Sequence, residues 1–213
     1  MPNLSKNLKK DLKKVDSLMR KNLSKEPVVS DLYDYIFDKS GKKVRASISL
    51  ISSYRMNKNQ QNRVKLAAII ELLHSATLVH DDIVDNSDIR RGRITVNVAW
   101  SNSHGVLIGD FIYSKAFMLM NEIGNLKVID ELSSATNKIA EGEVIQLANK
   151  NNLDTSLQQL KRISYFKTGR LFEASAKSAA MLSNKSTSFI AVSYTHLTLP
   201  TNRRCRSRWS PYH

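Results

Sequence analysis

The apolar residues of the chain recur at intervals of three and four along most of its length, which is the spacing of one face of an α-helix. Short polar breaks separate these stretches, and no segment shows the strict alternation of apolar and polar residues that predicts a strand. The pattern therefore predicts an all-α protein, a bundle of antiparallel helices around a central cavity. Helices are expected near residues 5–22, 29–38, 43–56, 61–86, 103–122, 127–150 and 155–182.

Composition supports a single helical domain in a reducing compartment. With 213 residues, 41% of them hydrophobic, the chain can bury one substantial core, and its seven glycines and four prolines are few. The single cysteine, Cys205, excludes an intramolecular disulfide. No uninterrupted apolar run of about 18 residues and no apolar signal-peptide core are present, so a cytoplasmic location is expected.

The net charge of +14 raises the question of an anionic partner. The basic residues are spread along the chain and are not interleaved with stacking aromatics, which argues against nucleic acid. Near the N-terminus, Leu4, Leu8 and Leu12 repeat every four residues with lysines between them, as in a basic amphipathic helix. Packing of this helix on the core is the favoured interpretation, and peripheral contact with an anionic membrane is the alternative.

The segment HSATLVHDDIVDNSDIRRG, residues 74–92, carries the candidate chemistry. On a helix, Asp81 and Asp85 lie four residues apart and share a face, and His74 lies one heptad before Asp81 on that face. Asp82 lies about 100° away from Asp81. Carboxylate oxygens suit Mg²⁺, which keeps water and phosphate oxygens among its ligands. A solvated acidic helix end is the alternative, because charge runs usually lie at the surface.

Basic residues before and after the aspartates match the oxygens of phosphate groups. Arg90 and Arg91 follow the aspartates, and the forked donors of arginine fit phosphate better than lysine does. Upstream, SGKKVR supplies Lys42 and Arg45, and downstream KTG supplies Lys167. Each group alone is typical of a basic surface patch. Together with the carboxylates they indicate a site for a metal-bound diphosphate.

These motifs, in this order, resemble those of the trans-prenyl diphosphate synthases, which join isopentenyl diphosphate to an allylic diphosphate. The resemblance covers about residues 5–190 and is strongest to long-chain bacterial members of the octaprenyl type. Its motifs are HSATLVHDDIVDNSDIRRG, VLIGDFIYSKAF, IAEGEVIQLAN and YFKTGRLFEASA. It implies an isoprenoid-synthase type of fold, Mg²⁺ as cofactor, an allylic substrate such as farnesyl diphosphate, and a homodimer.

The resemblance also implies roles for the site residues. Asp81, Asp85 and Asp82 would bind the metal, although helix geometry makes Asp82 the weaker ligand. The allylic diphosphate would contact Arg90, Gln146, Lys167 and Thr168, and isopentenyl diphosphate would contact Lys42, Arg45, His74 and Arg91. Catalysis would depend on Asp81, Asp85, Arg90 and Lys167. The alternatives are a hydrogen-bonded core histidine at position 74 and polar residues on a helix surface at positions 146 and 168.

In this family a bulky residue four or five positions before the first aspartate limits product length. Ala76 and Thr77 occupy these positions, which implies a long polyprenyl product. Thr77 lies about 40° from Asp81 on an ideal helix, whereas Ala76 lies about 140° away, so the assignment of Ala76 rests on the resemblance. The expected wall of the apolar cavity consists of Leu73, Ala76, Thr77 and Phe117.

The chain departs from the family pattern in two places. SGKKVRA at residues 40–46 replaces the frequent GGKRIRP, which keeps the charge but puts the rigidity of the loop in doubt. A second aspartate-rich motif is expected well after KTG, yet the last acidic residue is Glu173. We therefore expect a partial synthase domain over residues 1–192, and residues 193–213 as unrelated sequence or, alternatively, a basic targeting tail.

Two functions follow as hypotheses. The first is synthesis of a long-chain polyprenyl diphosphate, with little or no turnover by this chain because one metal-binding motif is missing. The second is a non-catalytic subunit that binds diphosphates or serves as a dimer partner. A class I terpene cyclase would share the aspartate motif but would not need the second basic pocket formed by Lys42, Arg45 and Arg91.

Overall fold

The computed structural model describes residues 2–21, 25–38, 41–54, 59–150, 152 and 154–182. Within these residues the all-α class is confirmed, and the predicted helices before residue 155 are present to within a few residues. The described residues group into two compact units, one drawn from residues 1–47 and 64–124 and the other from residues 48–63 and 125–182. The predicted boundary at residue 192 lies outside the described residues.

The first unit contains most of the predicted helices and a short β-hairpin. Its core is the first half of the longest helix, where the consecutive residues from Leu66 to Ile70 are fully buried. The elements are α1 (Pro2–Arg20), α2 (Pro27–Phe37), the first turn of α3 (Val44–Ser53), α4 (Gln60–Val84) from Val64 onward, β1 (Ile89–Arg90), β2 (Arg93–Ile94), α5 (Val96–Ala99) and α6 (Asn102–Ile123).

Helix α6 packs closely on the end of α4 because two glycines lie where the helices meet. A Cβ atom on Gly109 would lie 2.1 Å from Nε2 of His80, and one on Gly105 would lie 2.7 Å from Cδ1 of Ile83. The four-residue spacing puts both glycines on one face of α6, so the side chains of His80 and Ile83 lie directly against the α6 backbone. His80 and Ile83 flank the aspartates, and this contact therefore fixes the part of α4 that carries them.

The hairpin was not predicted by the sequence pattern. Ile89 pairs with Ile94 and Arg90 with Arg93 in antiparallel register. Arg91 and Gly92 form the two-residue loop with φ values of 53° and 73°, as such tight hairpins require. The Arg-Arg-Gly sequence thus makes a hairpin turn. Helix α4, predicted to reach residue 86, ends earlier, at Val84, and Asn86 has a φ of 49°.

The N-terminal helix α1 is only partly packed along its predicted apolar face, because Leu4, Leu8 and Leu12 are half-buried. Val15 and Met19 are buried, while the lysines of the opposite face are exposed. The hydroxyl of Tyr33 in α2 donates a hydrogen bond of 2.5 Å to the carbonyl of Met19. Among the described residues, no helix has the length and apolar character needed to cross a bilayer.

The second unit is built around α7 (Leu126–Ala148), which packs against the C-terminal helical segment. The side chain of Asn125 accepts hydrogen bonds from the N–H groups of Lys127 and Val128 and so caps α7. The sequence pattern predicts one helix over 155–182, but the structure divides it. Its parts are α8 (Leu157–Ser164), a π-helical segment (Tyr165–Gly169) and α9 (Arg170–Leu182).

Candidate functional site

A basic loop at the start of α3 forms one side of the candidate anion site in the first unit. Lys43 has a φ of 47°, and its carbonyl accepts a hydrogen bond of 2.9 Å from the N–H of Ser47. Its ammonium group pairs with the carboxylate of Asp16 in α1. Lys42 is exposed. The predicted ligand Lys42 thus faces solvent, and its neighbour Lys43 is tied to α1.

Arg45 and His74 lie in contact, which agrees with their assignment to one site. Nη1 of Arg45 lies 2.9 Å from Nε2 of His74. Burial, aided by the charges of Arg45, Arg91 and Arg90, lowers the pKa of His74 to about 3. The imidazole is therefore neutral at physiological pH. Because a guanidinium only donates, Nε2 is the acceptor and Nδ1 carries the proton.

Glu71 belongs to the same cluster, although sequence analysis did not single it out. It is 8% exposed, and its Oε1 accepts a hydrogen bond of 3.0 Å from the N–H of Ala46 in the first turn of α3. Burial raises the pKa of its carboxyl group, against the opposing effects of this N–H and of Arg45, Lys43 and Arg91. The sequence could have pointed to Glu71, because it is an acidic residue in the otherwise apolar run AAIIELLH, three positions before His74.

The hairpin turn meets the basic loop through a glycine. A Cβ atom on Gly41 would lie 2.6 Å from Nη1 and 2.7 Å from Nη2 of Arg91. The guanidinium of Arg91 therefore lies directly against the backbone of Gly41, in space that any other residue would fill. This contact brings Arg91 to the cluster of Arg45 and His74, as the resemblance implied.

Asp82 is paired with an arginine of the hairpin. Nε of Arg90 lies 2.7 Å from Oδ1 and 2.8 Å from Oδ2 of Asp82, and Asp82 is 6% exposed. Burial raises the pKa of Asp82, while the hydrogen bonds and charge of Arg90 oppose that rise. A buried carboxylate with both oxygens facing one guanidinium is poorly placed for a metal. That Asp82 is a weaker metal ligand than Asp81 and Asp85 stays a prediction. Its pairing with Arg90 supports that prediction.

Asp81 and Asp85 share one face at the end of α4. The N–H of Asp85 donates a helical hydrogen bond of 2.8 Å to the carbonyl of Asp81, so the four-residue spacing is realised on a regular turn. In the described part of the chain, no three His, Cys, Asp or Glu side chains converge on one point. Two carboxylates suit Mg²⁺, because this ion uses few protein ligands and completes its shell with water and phosphate oxygens.

The second unit carries the residues from the KTG motif. Nζ of Lys167 lies 2.6 Å from a carboxylate oxygen of Glu143 in α7. Gln146 is half-buried on the same helix, and Thr168 is exposed on the π-helical segment. A π-helical turn inside an α-helix is rare and is frequent at functional sites, and this one contains both Lys167 and Thr168.

Close packing holds the π-helical segment in place. A Cβ atom on Gly142 of α7 would lie 2.7 Å from Cβ of Phe166 and 3.3 Å from the backbone nitrogen of Lys167. The hydroxyl of Tyr165 donates to Glu173, whose carboxylate also pairs with Lys177. These contacts fix the backbone on which Lys167 stands.

The predicted wall residues of the product cavity fall into different environments. Leu73 and Ala76 have no exposed surface. The hydroxyl of Thr77 donates a hydrogen bond of 2.8 Å to the carbonyl of His74. Phe117 is 47% exposed and stacks on Tyr113 at a centroid distance of 6.3 Å. The small buried side chain of Ala76 suits the expected role, and the exposed face of Phe117 suits it less well.

Solved structures place this arrangement in a fold class. A crystal structure of a decaprenyl diphosphate synthase from Rhodobacter capsulatus superposes with a TM-score of 0.85 and 33% identity, covering 91% of this chain and 60% of that one. A polyprenyl synthase from Caulobacter crescentus CB15, complexed with calcium and isoprenyl diphosphate, gives a TM-score of 0.85 and 30% identity, covering 90% and 58%. The fold is that of the isoprenoid synthases.

Sequence comparisons define the family within that class. A sequence model described as Polyprenyl synthetase matches residues 26–199, beyond the predicted boundary at residue 192. The octaprenyl diphosphate synthase of Escherichia coli K12 is 44% identical over 155 residues, which are 73% of this chain and 48% of that protein. The chain belongs to the polyprenyl synthetase family, and it spans about half the length of this relative.

Proposed function

We propose that the chain binds isopentenyl diphosphate and an allylic diphosphate and serves their condensation to a long-chain polyprenyl diphosphate. The observation that carries the proposal is that two arginines of the first unit have different partners at the two ends of the motif. Arg90 is held by Asp82 beside Asp81 and Asp85, while Arg45 contacts His74. One diphosphate would need a single site of this kind, whereas a condensation of two needs both.

The proposed reaction begins with ionisation of the allylic substrate. Its C–O bond breaks, and the diphosphate leaves with the electron pair. When bound by Asp81 and Asp85, Mg²⁺ would neutralise part of the charge of the leaving group. Arg90 and Lys167 would stabilise the remaining charge, because fixed cations aimed at a developing anion lower the barrier without reorganisation. Gln146 and Thr168 would add neutral hydrogen bonds.

The second substrate supplies the nucleophile. The π electrons of isopentenyl diphosphate form the new C–C bond with the allylic cation, and the released diphosphate would take up one proton from the resulting cation, which restores a double bond. Lys42, Arg45 and Arg91 would hold its diphosphate in a pocket of its own, since two such anions repel each other. The neutral His74 would serve this pocket by orienting Arg45.

The small buried residue Ala76 supports a long product. The octaprenyl, nonaprenyl and decaprenyl diphosphate synthases among the relatives carry long-chain products in their names. In this proposal the growing chain extends past Ala76, where a bulky side chain would stop it. Chromatography of the products would determine the number of isoprene units they contain.

A homodimer belongs to the proposal. Helix α6 exposes apolar side chains along one side, including Leu107 at 67% and Met118 at 68%. These two residues are eleven positions apart and so lie on nearly the same face of the helix. Val106 and Phe117, also eleven positions apart, share a neighbouring face. A second copy of the chain would bury this face. Light scattering of the Leu107→Glu, Met118→Glu variant should report a monomer where the parent chain reports a dimer.

Peripheral contact with membranes is the second candidate interaction. Lys6, Lys9, Lys10 and Lys13 are exposed on α1, whose apolar face is partly packed. Such a lysine face attracts anionic lipid at about 1 kcal/mol per charge. Sedimentation with anionic and neutral vesicles, compared between the parent chain and a variant with these lysines changed to glutamine, tests the idea. Equal binding by both would remove it. The expected cytoplasmic location stays a prediction for fractionation.

The central test mixes the purified chain with Mg²⁺, labelled isopentenyl diphosphate and farnesyl diphosphate. Chain extension supports the synthase. Binding of both substrates without extension supports the alternative, a diphosphate-binding or partner subunit, and a cyclic hydrocarbon would indicate a terpene cyclase. Binding of neither substrate would contradict the proposal.

A further inference from the structure

The basic cluster at the start of α3 contains three positive side chains. Their mutual repulsion opposes a fixed arrangement when no anion is bound. The charges of Lys43, Arg45 and Arg91 all act on the buried Glu71, and those of Arg45 and Arg91 also act on His74. Like charges repel more strongly when they are partly removed from water. A site that is ready for a diphosphate before it arrives needs an anion of its own.

Glu71 lies where such an anion is needed. It is buried on α4, one helical turn before His74, and it accepts a hydrogen bond from Ala46 at the N-terminus of α3. Free N–H groups and the helix dipole favour negative charge at this end of a helix. The carboxylate therefore joins α4 to the loop that carries the basic residues.

Its interactions with the cations are mutual. Burial lowers the pKa of Arg45 to about 10, and the charge of Glu71 opposes that fall. Burial likewise lowers the pKa of Lys43, and the charge of Glu71 again opposes that fall. Asp16 also pairs with Lys43, but its side chain is 43% exposed, so solvent screens that pair more strongly.

We propose that Glu71 is a positioning residue whose buried carboxylate holds Arg45 and Arg91 in a preformed site for the diphosphate group of isopentenyl diphosphate. The inference rests on the proposed function for the identity of the ligand. It adds a residue that touches no substrate and acts through the two arginines. Preorganisation of this kind increases affinity because the ligand does not pay to order the site.

The variant Glu71→Gln separates this role from simple charge counting. Glutamine keeps the size of the side chain and an oxygen that accepts the N–H of Ala46, but it removes the negative charge. Counted as charge alone, the substitution makes the site more positive and should tighten binding of an anion. As loss of a positioning residue, it should weaken the binding of isopentenyl diphosphate about tenfold.

Calorimetric titration of the full chain with isopentenyl diphosphate in EDTA measures this change, since the metal-dependent site is then silent. Glu122→Gln is the matched control, because it removes one exposed carboxylate of the same unit that pairs with Lys65. It should leave the affinity within about twofold. Glu71→Asp restores the charge with a shorter side chain and should recover part of the lost affinity.

The outcomes separate the inference from the proposed function. If the parent chain does not bind isopentenyl diphosphate, the proposed function fails. If the parent binds and Glu71→Gln binds equally well or more tightly, the positioning role is wrong. Thermal unfolding and Mg²⁺-dependent binding of farnesyl diphosphate are measured on each variant. A merely structural role would lower both together with the affinity for isopentenyl diphosphate, and that result would overturn the inference as well.

Discussion

Arg90 lies with its Nε 2.7 and 2.8 Å from the two carboxylate oxygens of Asp82, eight residues before it in the chain. This pair joins the end of α4 to the first strand of the hairpin and occupies the second aspartate of the DDIVD motif. Asp81 and Asp85 lie on another face of the helix. The proposed function therefore assigns Asp82 to Arg90, and Asp81 and Asp85 to the metal.

The division predicts different consequences for Asp82→Asn and Asp85→Asn. Asp82→Asn removes the charge that orients Arg90 and should weaken binding of farnesyl diphosphate about tenfold, with the Mg²⁺ midpoint within about twofold of the parent value. Asp85→Asn removes a metal ligand and should raise that midpoint about tenfold or more. Titrations with farnesyl diphosphate at several Mg²⁺ concentrations measure both. Equal shifts of the midpoint in the two variants would assign Asp82 to the metal.

Gly41→Ala should displace Arg91. The added Cβ atom would lie 2.6 Å from the guanidinium, and since that group ends a flexible side chain, the arginine moves and the backbone stays. We expect the affinity for isopentenyl diphosphate to fall about three- to tenfold, with the free energy of unfolding changed by less than about 0.5 kcal/mol. Calorimetry and urea unfolding measure the two effects. In an Arg91→Ala background the same substitution should change little, and an undiminished effect there would contradict the contact.

Much of the fold could be predicted from the sequence, because apolar residues recur every three or four positions along its helices. The spacing located α4 and placed Asp81 and Asp85 on one face. The hairpin was missed, because two-residue strands are too short to show an alternating pattern. The role of Asp82 depended on where Arg90 lies after a turn, and the role of Glu71 on a contact with α3. Both are tertiary relations that local spacing does not contain.

Ala76→Tyr tests product length in a full-length relative that carries this segment. Ala76 has no exposed surface, so a tyrosine must enter space reserved for other atoms. If that space is the path of the growing product, the products should be shorter by several isoprene units, as shown by thin-layer or liquid chromatography. Ala76→Ser, which adds little volume, is the control. Unchanged chain length with the tyrosine would count against Ala76 as a cavity residue.

His74 predicts a specific dependence of stability on pH. The pKa of the folded form is about 3, against an ordinary value of 6.5 in the unfolded chain. Between these values the unfolded chain binds more protons, so the free energy of unfolding falls as the pH drops from about 6.5 towards 3. This contribution amounts to ~2 kcal/mol at pH 5. His74→Gln should lose it, so the difference between pH 7 and pH 5 in urea unfolding shrinks by that amount. An unchanged difference would argue against a neutral, buried His74.

Gly142→Ala should destabilise the second unit, although the same change usually stabilises a helix interior. The added Cβ atom would lie 2.7 Å from Cβ of Phe166 and 3.3 Å from the backbone nitrogen of Lys167, and neither atom is the end of a flexible chain. We expect a loss of about 1–3 kcal/mol in the free energy of unfolding. Ser133→Ala, exposed on the same helix, should be neutral or slightly stabilising. Urea unfolding followed by circular dichroism gives both values, and a more stable Gly142→Ala variant would refute the close approach.

The π-helical segment has a consequence for how the C-terminal helices can change over evolution. An extra residue in one helical turn rotates every later side chain by about 100° relative to an uninterrupted α-helix. Helix α8 exposes most of its side chains, whereas nearly all of α9 is buried, so the rotation lets one continuous rod satisfy two different surroundings. Deletion of a single residue between Tyr165 and Gly169 would turn the buried side of α9 outward while changing almost nothing in composition. This stretch should therefore tolerate hardly any change in its length.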